Sequence, residues 1–242
     1  MPRAAIQQAA LNAHFMKADP ILYEVVQQVG PFRVNLERNR FRMLVSSIIS
    51  QQLSTAAAKT IRMRLEAKIG PDLVTAESLS RLPKDDLRSA GLSNQKAGFI
   101  SDLAAKVLDG TIKLSTIARK SDEAVIDELT KVRGIGKWTA QMFLMFSLGR
   151  LDVFPHDDLG VRTAIRNLYQ LPELPDKSSS LKIADKWKPY ATIGSWYCWR
   201  SLDLAKELKR KTAELPSQAL NDNLPLPIRY SRESPFLKSQ KG

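Results

Sequence analysis

The 242-residue chain has one cysteine and two histidines. With Cys198 alone no disulfide can close within the chain, and an iron–sulfur cluster held by about four thiolates is excluded. His14 and His156 are too few and too far apart in sequence for a convincing zinc site. The H-x-E and P-C-x-x-C pattern of the zinc base deaminases is absent. No stretch approaches the roughly 18 consecutive apolar residues of a membrane span. Met1 to Ala13 carry a single Arg and no long apolar core, so a secretory leader is not expected. Acidic residues are in short supply as well: 25 Asp and Glu stand against 37 Lys and Arg, a formal charge of +12. Such an excess favours a polyanion, through phosphate neutralisation and counterion release. Nucleic acid is the first partner to consider, against the plainer reading of a soluble protein that is simply basic.

Period-two alternation is hard to find, so little or no sheet is expected and the fold class is all-α. A helical pattern runs from Arg42 to Ile49 and resumes at Ser54, a natural N-cap before helix-forming alanines, with Met63 and Leu65 extending it. Further helices are predicted from Ala97 to Leu108, stopping at Gly110, and after a Ser121 cap with Val125, Ile126 and Leu129 inward. Trp138 to Phe146 and Leu159 to Leu168 read the same way. Gly149 to Pro155 interrupts the pattern. From about Glu214 the chain turns Pro-, Ser- and Asn-rich, a composition that does not support a packed core.

The segment Leu129-Thr130-Lys131-Val132-Arg133-Gly134-Ile135-Gly136-Lys137-Trp138-Thr139-Ala140 ends one helix and starts another across a Gly-Ile-Gly turn. Two glycines open backbone conformations closed to other residues and let a partner approach closely. The first N–H groups of the second helix offer a phosphate site at its positive end, flanked by Lys131, Arg133 and Lys137. An ordinary corner between core helices is the alternative.

With its neighbours, that turn resembles the helix-hairpin-helix DNA glycosylase superfamily, most closely the alkyl-purine branch of 3-methyladenine glycosylase II type. The resemblance covers about Phe32 to Leu204. It rests on four segments in order: Leu44 to Ser54, Gly91 to Lys96, the hairpin with Gly136 to Ala140, and Asp152 to Asp158. Trp187 to Tyr190 and Trp196 to Arg200 resemble the family's last helical part. The family implies two helical lobes with the active-site cleft between them. Here these would be 33–150, carrying the hairpin, and 1–32 joined to 151–213, with 214–242 as an irregular tail. Only some 32 residues precede the shared region, so the β-rich N-terminal domain of many bacterial relatives is not expected.

The resemblance also assigns roles. Asp158 matches the catalytic aspartate, with Asp157 and Asp152 as rivals; left to itself, Asp158 reads as the N-cap of the following helix. A carboxylate there would stabilise the oxocarbenium-like charge that builds on the sugar and could orient or deprotonate the attacking water. Trp138 stands where strand-cleaving relatives carry a Schiff-base lysine, so lyase activity is not expected. Its indole, with Trp199, would instead stack on an extruded, cationic base. Met142 replaces an aromatic of the branch, and Arg200 replaces a tyrosine, which leaves base selectivity open. Trp187 and Trp196 read as core, and His156 as structural. Gln52 matches the wedge that fills the vacated duplex position, with Leu53 as a second apolar element. Ser93 and Lys96 match phosphate contacts, beside Gly134, Gly136, Lys137 and Thr139 of the hairpin. The family's hairpin cation would fall on backbone carbonyls around Lys131, Val132 and Gly134, held weakly without DNA.

The expected function is therefore monofunctional hydrolysis of the N-glycosidic bond of alkylated purines in base excision repair. No cofactor and no catalytic metal are expected. The partner would be double-stranded DNA containing damaged bases, met by a monomer away from any membrane: in the nucleoid-bearing cytoplasm of a bacterium or the nucleus of a eukaryote. Two alternatives stay open. One is the same fold acting on deaminated or oxidised bases; the other is a non-catalytic helix-hairpin-helix protein that binds DNA or senses lesions.

Overall fold

Short polar side chains start most of the helices. Asp19, Ser54, Ser93, Ser121, Asp158 and Asp176 each accept a hydrogen bond from the backbone N–H three residues on, satisfying a donor that the helix itself leaves unpaired. Thr75 and Ser78 form a reciprocal capping box. The computed structural model describes residues 8–70 and 73–214, and these contain helices and turns but no strand. The all-α expectation holds. The expected tail lies, from residue 215 on, outside the described residues. No described helix is long and apolar enough to cross a membrane.

The chain divides into two units, Met1–Arg33 with Phe154–Gly242, and Val34–Val153. The first holds α1 (Gln8–Ala18), α2 (Pro20–Val29), α10 (Leu159–Leu168), α11 (Lys177–Ala184) and α12 (Ala191–Glu214). α12 packs on α2 and α10, and α1 on α2. Phe15, Leu22, Val25, Val161, Ile165, Trp187, Ile193 and Tyr197 are buried there. So is the Asp19 carboxylate, which caps α2 and accepts from the Trp187 indole at 2.8 Å and from the Tyr169 hydroxyl. A buried charge is tolerable only when satisfied in this way. Trp187 is fully buried, as expected of a core residue. Trp196 is half-buried, edge-on to Phe32 and Tyr197.

The second unit holds α3 (Arg40–Ser50), α4 (Thr55–Ile69), α5 (Ala76–Arg81), α6 (Lys84–Ser89), α7 (Asn94–Leu108), α8 (Asp122–Leu129) and α9 (Lys137–Phe146). α3 lies at its centre, against α4, α7 and α9. Leu44, Val45, Ile48 and Ile49 of α3 are buried, as are Ile100 and Leu103 of α7 and Phe143 and Leu144 of α9. α7 begins at Asn94, three residues before the expected start. Its Ser93 cap fixes that end, and the apolar pattern alone could not see it.

Candidate functional site

Between α8 and α9 the chain makes a tight hairpin. Gly134 sits at φ 82°, and a Cβ there would lie 2.1 Å from a Phe99 ring carbon. Backbone conformation and space both demand glycine. Gly136 opens α9 from extended backbone and has no side chain to cap it, and among the described residues a Cβ there would meet nothing within 4 Å. The positive end of α9 is thus bare to an anion, with exposed Lys137 beside it. Only 4% of Thr139 is exposed, because it falls on the inward face of α9, so a phosphate contact there would run through its first-turn backbone N–H.

Arg133 is tied down. Asp102 of α7 accepts from its backbone N–H at 2.9 Å and its Nε at 3.2 Å, and from Lys106 Nζ at 2.6 Å. Burial pushes the Asp102 carboxyl up, but the Lys106 and Arg133 contacts outweigh it and hold it below the usual carboxylate range. The carbonyls considered for a cation are partly committed. Val132 O accepts from Ile135 N at 3.1 Å and Gly134 O from Gln51 Nε2 at 2.7 Å, so an ion would draw on the second lone pair of each. Neutral carbonyls of this kind fit a weakly held ion. Among the described residues no cluster of three His, Cys, Asp or Glu could hold a metal.

The loop after α3 carries Gln52 at φ 56°, a left-handed conformation uncommon outside glycine. Gln52 is exposed, and Leu53 is 40% exposed. Lys96 has a task that the sequence did not disclose. Its ammonium donates to Ile49 O at 2.7 Å and Gln51 O at 2.6 Å, closing the C-terminus of α3 where a cation is favoured. Two of its three N–H bonds are spent inward, and burial lowers its pKa. Ser93 serves as the cap of α7. The expected phosphate contacts of these two side chains therefore compete with bonds already made within the chain.

Within this unit a recess of about 540 Å³ opens between α3 and α9. Trp138, Met142 and Phe146, one helical turn apart on α9, form one wall; Met43, Ser46, Ser47 and Ser50 of α3 form another, with Gln51, Gln52 and Arg62 completing it. Trp138 is 43% exposed and Met142 only 7%. A flat apolar guest finds an indole face and sulfur atoms here, and no carboxylate lines the walls.

In the other unit, Asp158 caps α10 and is 9% exposed. Its Oδ1 accepts from Val161 N at 2.7 Å and from the Trp199 indole N–H of α12 at 2.9 Å. Trp199 thus clamps the carboxylate, a role the sequence reading missed. Gly160 leaves room for the pair: a Cβ there would lie 3.0 Å from Trp199 and 3.1 Å from Asp158. The rival aspartates lie in other surroundings. Asp152 is exposed, and Asp157 has a side chain 68% exposed with its carboxylate 2.9 Å from His156 Nδ1. That approach lacks hydrogen-bond geometry, so among the described residues buried His156 has no hydrogen-bond partner on either ring nitrogen.

Comparison with known proteins places these features. The model of the HhH-GPD superfamily base excision DNA repair proteins matches residues 45–189. DNA-3-methyladenine glycosylase 1 of Schizosaccharomyces pombe is 33% identical over 81% of this chain and 88% of its own length. A putative DNA-3-methyladenine glycosylase of Bacillus subtilis is 32% identical over 78% of this chain and 68% of its own. The solved structure of the S. pombe enzyme in complex with abasic DNA superposes with a TM-score of 0.74, covering 81% of this chain and 98% of that one. The chain belongs to the HhH-GPD superfamily of base excision DNA repair proteins.

Proposed function

We propose that this protein is a monofunctional DNA glycosylase that hydrolyses the N-glycosidic bond of alkylated purines, such as 3-methyladenine and 7-methylguanine, in duplex DNA. The observation that carries the reading is the Asp158 carboxylate, buried at the start of α10 and fixed by two N–H donors on one oxygen. Relatives covering most of the chain bear the same activity in their names.

The chemistry asks little of the protein. A purine methylated at N3 or N7 is already cationic and leaves without a strong general acid. What the sugar needs, as the bond to the base breaks, is a fixed negative charge and an oriented water. Asp158 can supply the charge and accept the water's proton. A cationic base suits the Trp138 face by cation–π attraction and the Met142 and Met43 sulfurs by polarisability. With a tryptophan at 138 there is no amine to attack the sugar, which supports hydrolysis without strand cleavage. The net charge of +12 supports duplex DNA as the partner, and we read the active species as a monomer in the compartment that holds the genome.

Base release from methylated genomic DNA tests this, wild type beside Asp158→Asn. Asparagine can keep an oxygen acceptor for the α10 cap while losing the charge. Release by the wild type should fall at least about 100-fold in the variant, the scale of losing one electrostatic stabiliser of a transition state. Undiminished release by D158N would refute the assignment. Absence of alkylpurine release by the wild type would refute the substrate class.

A further inference from the structure

The loop that joins α3 to α4 is short, exposed at its tip and bent through an unfavourable residue, yet it is tethered from both sides. Gln52 at its tip occupies the left-handed region at φ 56°, where a side chain with a Cβ is disfavoured. Immediately before it, Gln51 is gripped twice. Its side-chain amide donates to Gly134 O in the hairpin turn at 2.7 Å, and its own carbonyl accepts from Lys96 Nζ at 2.6 Å. The same ammonium holds Ile49 O at 2.7 Å, so one lysine of α7 spans the last turn of α3 and the first residue of the loop. On the far side Leu53 N donates to Ser50 O at 3.2 Å, and Ser54 caps α4. The tip is exposed and strained while its neighbours are fixed. The Gly134 end of the tether is rigid too, since Phe99 packs where a side chain would be.

We infer that Gln51 and Lys96 are positioning residues that hold Gln52 in its strained, projecting conformation, at a set place relative to the hairpin that would take the DNA backbone. This rests on reading Gln52 as the wedge that enters the duplex when a base is extruded. A wedge that is already formed needs no ordering when it inserts, so the binding energy of the duplex goes into opening the base pair rather than into shaping the loop. Strain of this kind persists only where surrounding contacts over-determine it. The Gln51–Gly134 bond also couples two elements that must act in register, the one that grips the backbone and the one that parts the bases.

The test compares single-turnover release of 7-methylguanine from two DNAs: one with the lesion fully paired, the other with the same lesion unpaired in a bulge. Pairing is the only barrier that a wedge helps to cross. Lys96→Met should lower the ratio of paired to unpaired rates about tenfold, the worth of a hydrogen bond to a charged group, and Gln51→Leu about fivefold, that of a neutral one. Lys96→Arg, which keeps a donor in place, should recover most of that ratio. Gln52→Ala is the reference and should lower the same ratio. A uniform fall of both rates in K96M and Q51L, with lowered melting temperatures, would mean the tethers merely support the fold, and would overturn the inference. So would an unaltered ratio in both variants while Q52A lowers it. If Q52A itself leaves the ratio intact, the wedge reading fails and takes the inference with it. The wild-type rate on the unpaired lesion shows separately whether the glycosylase reading stands.

Discussion

The Trp199 indole N–H and the Val161 backbone N–H meet on the same oxygen of Asp158. One atom therefore serves both the helix start and the site. Trp199→Phe keeps an aromatic ring but removes the indole donor together with the pyrrole half of the ring system. The carboxylate loses that clamp, and single-turnover base release should slow about tenfold, the worth of a hydrogen bond to a charged group. Rates measured at saturating enzyme on a methylated duplex check this; equal rates would show that the indole acts only by stacking. The cap that Asp158 makes was legible in the sequence, since an aspartate before a helical run is a common N-cap. The clamp was not, because Trp199 lies 41 residues away and nothing local in a tryptophan announces where its N–H will point. The inward turn of Thr139 was not legible for a related reason. It sits two residues into α9, where one step around the helix separates an outward position from an inward one.

At the scale of elements the hairpin is held to α7 by Asp102, which gathers Arg133 and Lys106. Its pKa lies below the usual range although burial acts against this. A carboxyl depressed in the folded state contributes stability that is present above its unfolded pKa of about 4 and is lost as pH falls through the folded value. Urea midpoints should therefore drop on acidification below about pH 4, and Asp102→Asn should flatten that part of the profile. A D102N profile parallel to wild type would refute the linkage. The exposed Lys137 at the uncapped start of α9 makes a separate prediction. Lys137→Ala should reduce the slope of log affinity against log salt by about 1, read by fluorescence anisotropy with an abasic duplex. The hairpin itself was readable because Gly134 and Gly136 leave a sequence mark. The tethers Lys96 and Asp102 leave none, since a lysine or aspartate on a helix is ordinarily a solvated charge, and the bonds from Lys96 to Ile49 and from Arg133 to Asp102 span 47 and 31 positions.

For the whole molecule, the fold class followed from what repeats, the helical period and the capping side chains, which is information carried within about four residues. Packing between distant segments is not so carried. Cys198 illustrates the gap: the sequence shows a lone thiol, and the structure places it fully buried on α12, where burial first and the carboxylates of Asp19 and Asp158 after it push its pKa well above the ordinary thiol range. A thiol alkylating agent at about pH 8 should leave native protein unlabelled and react only as fast as this unit opens. Rapid labelling without denaturant would contradict the burial. The unit holding that thiol is built from both ends of the described chain, whereas the other is an uninterrupted run of about 120 residues. This has a consequence for biosynthesis. α1 and α2 leave the ribosome first, but Tyr169 and Trp187, the partners of Asp19, emerge after the whole intervening unit has been made. At about 5–20 residues per second, the 150 residues to Tyr169 alone are a wait of roughly 8–30 s. The inserted unit can close its own core during that interval, while the N-terminal helices remain a half-built surface awaiting the last third of the chain.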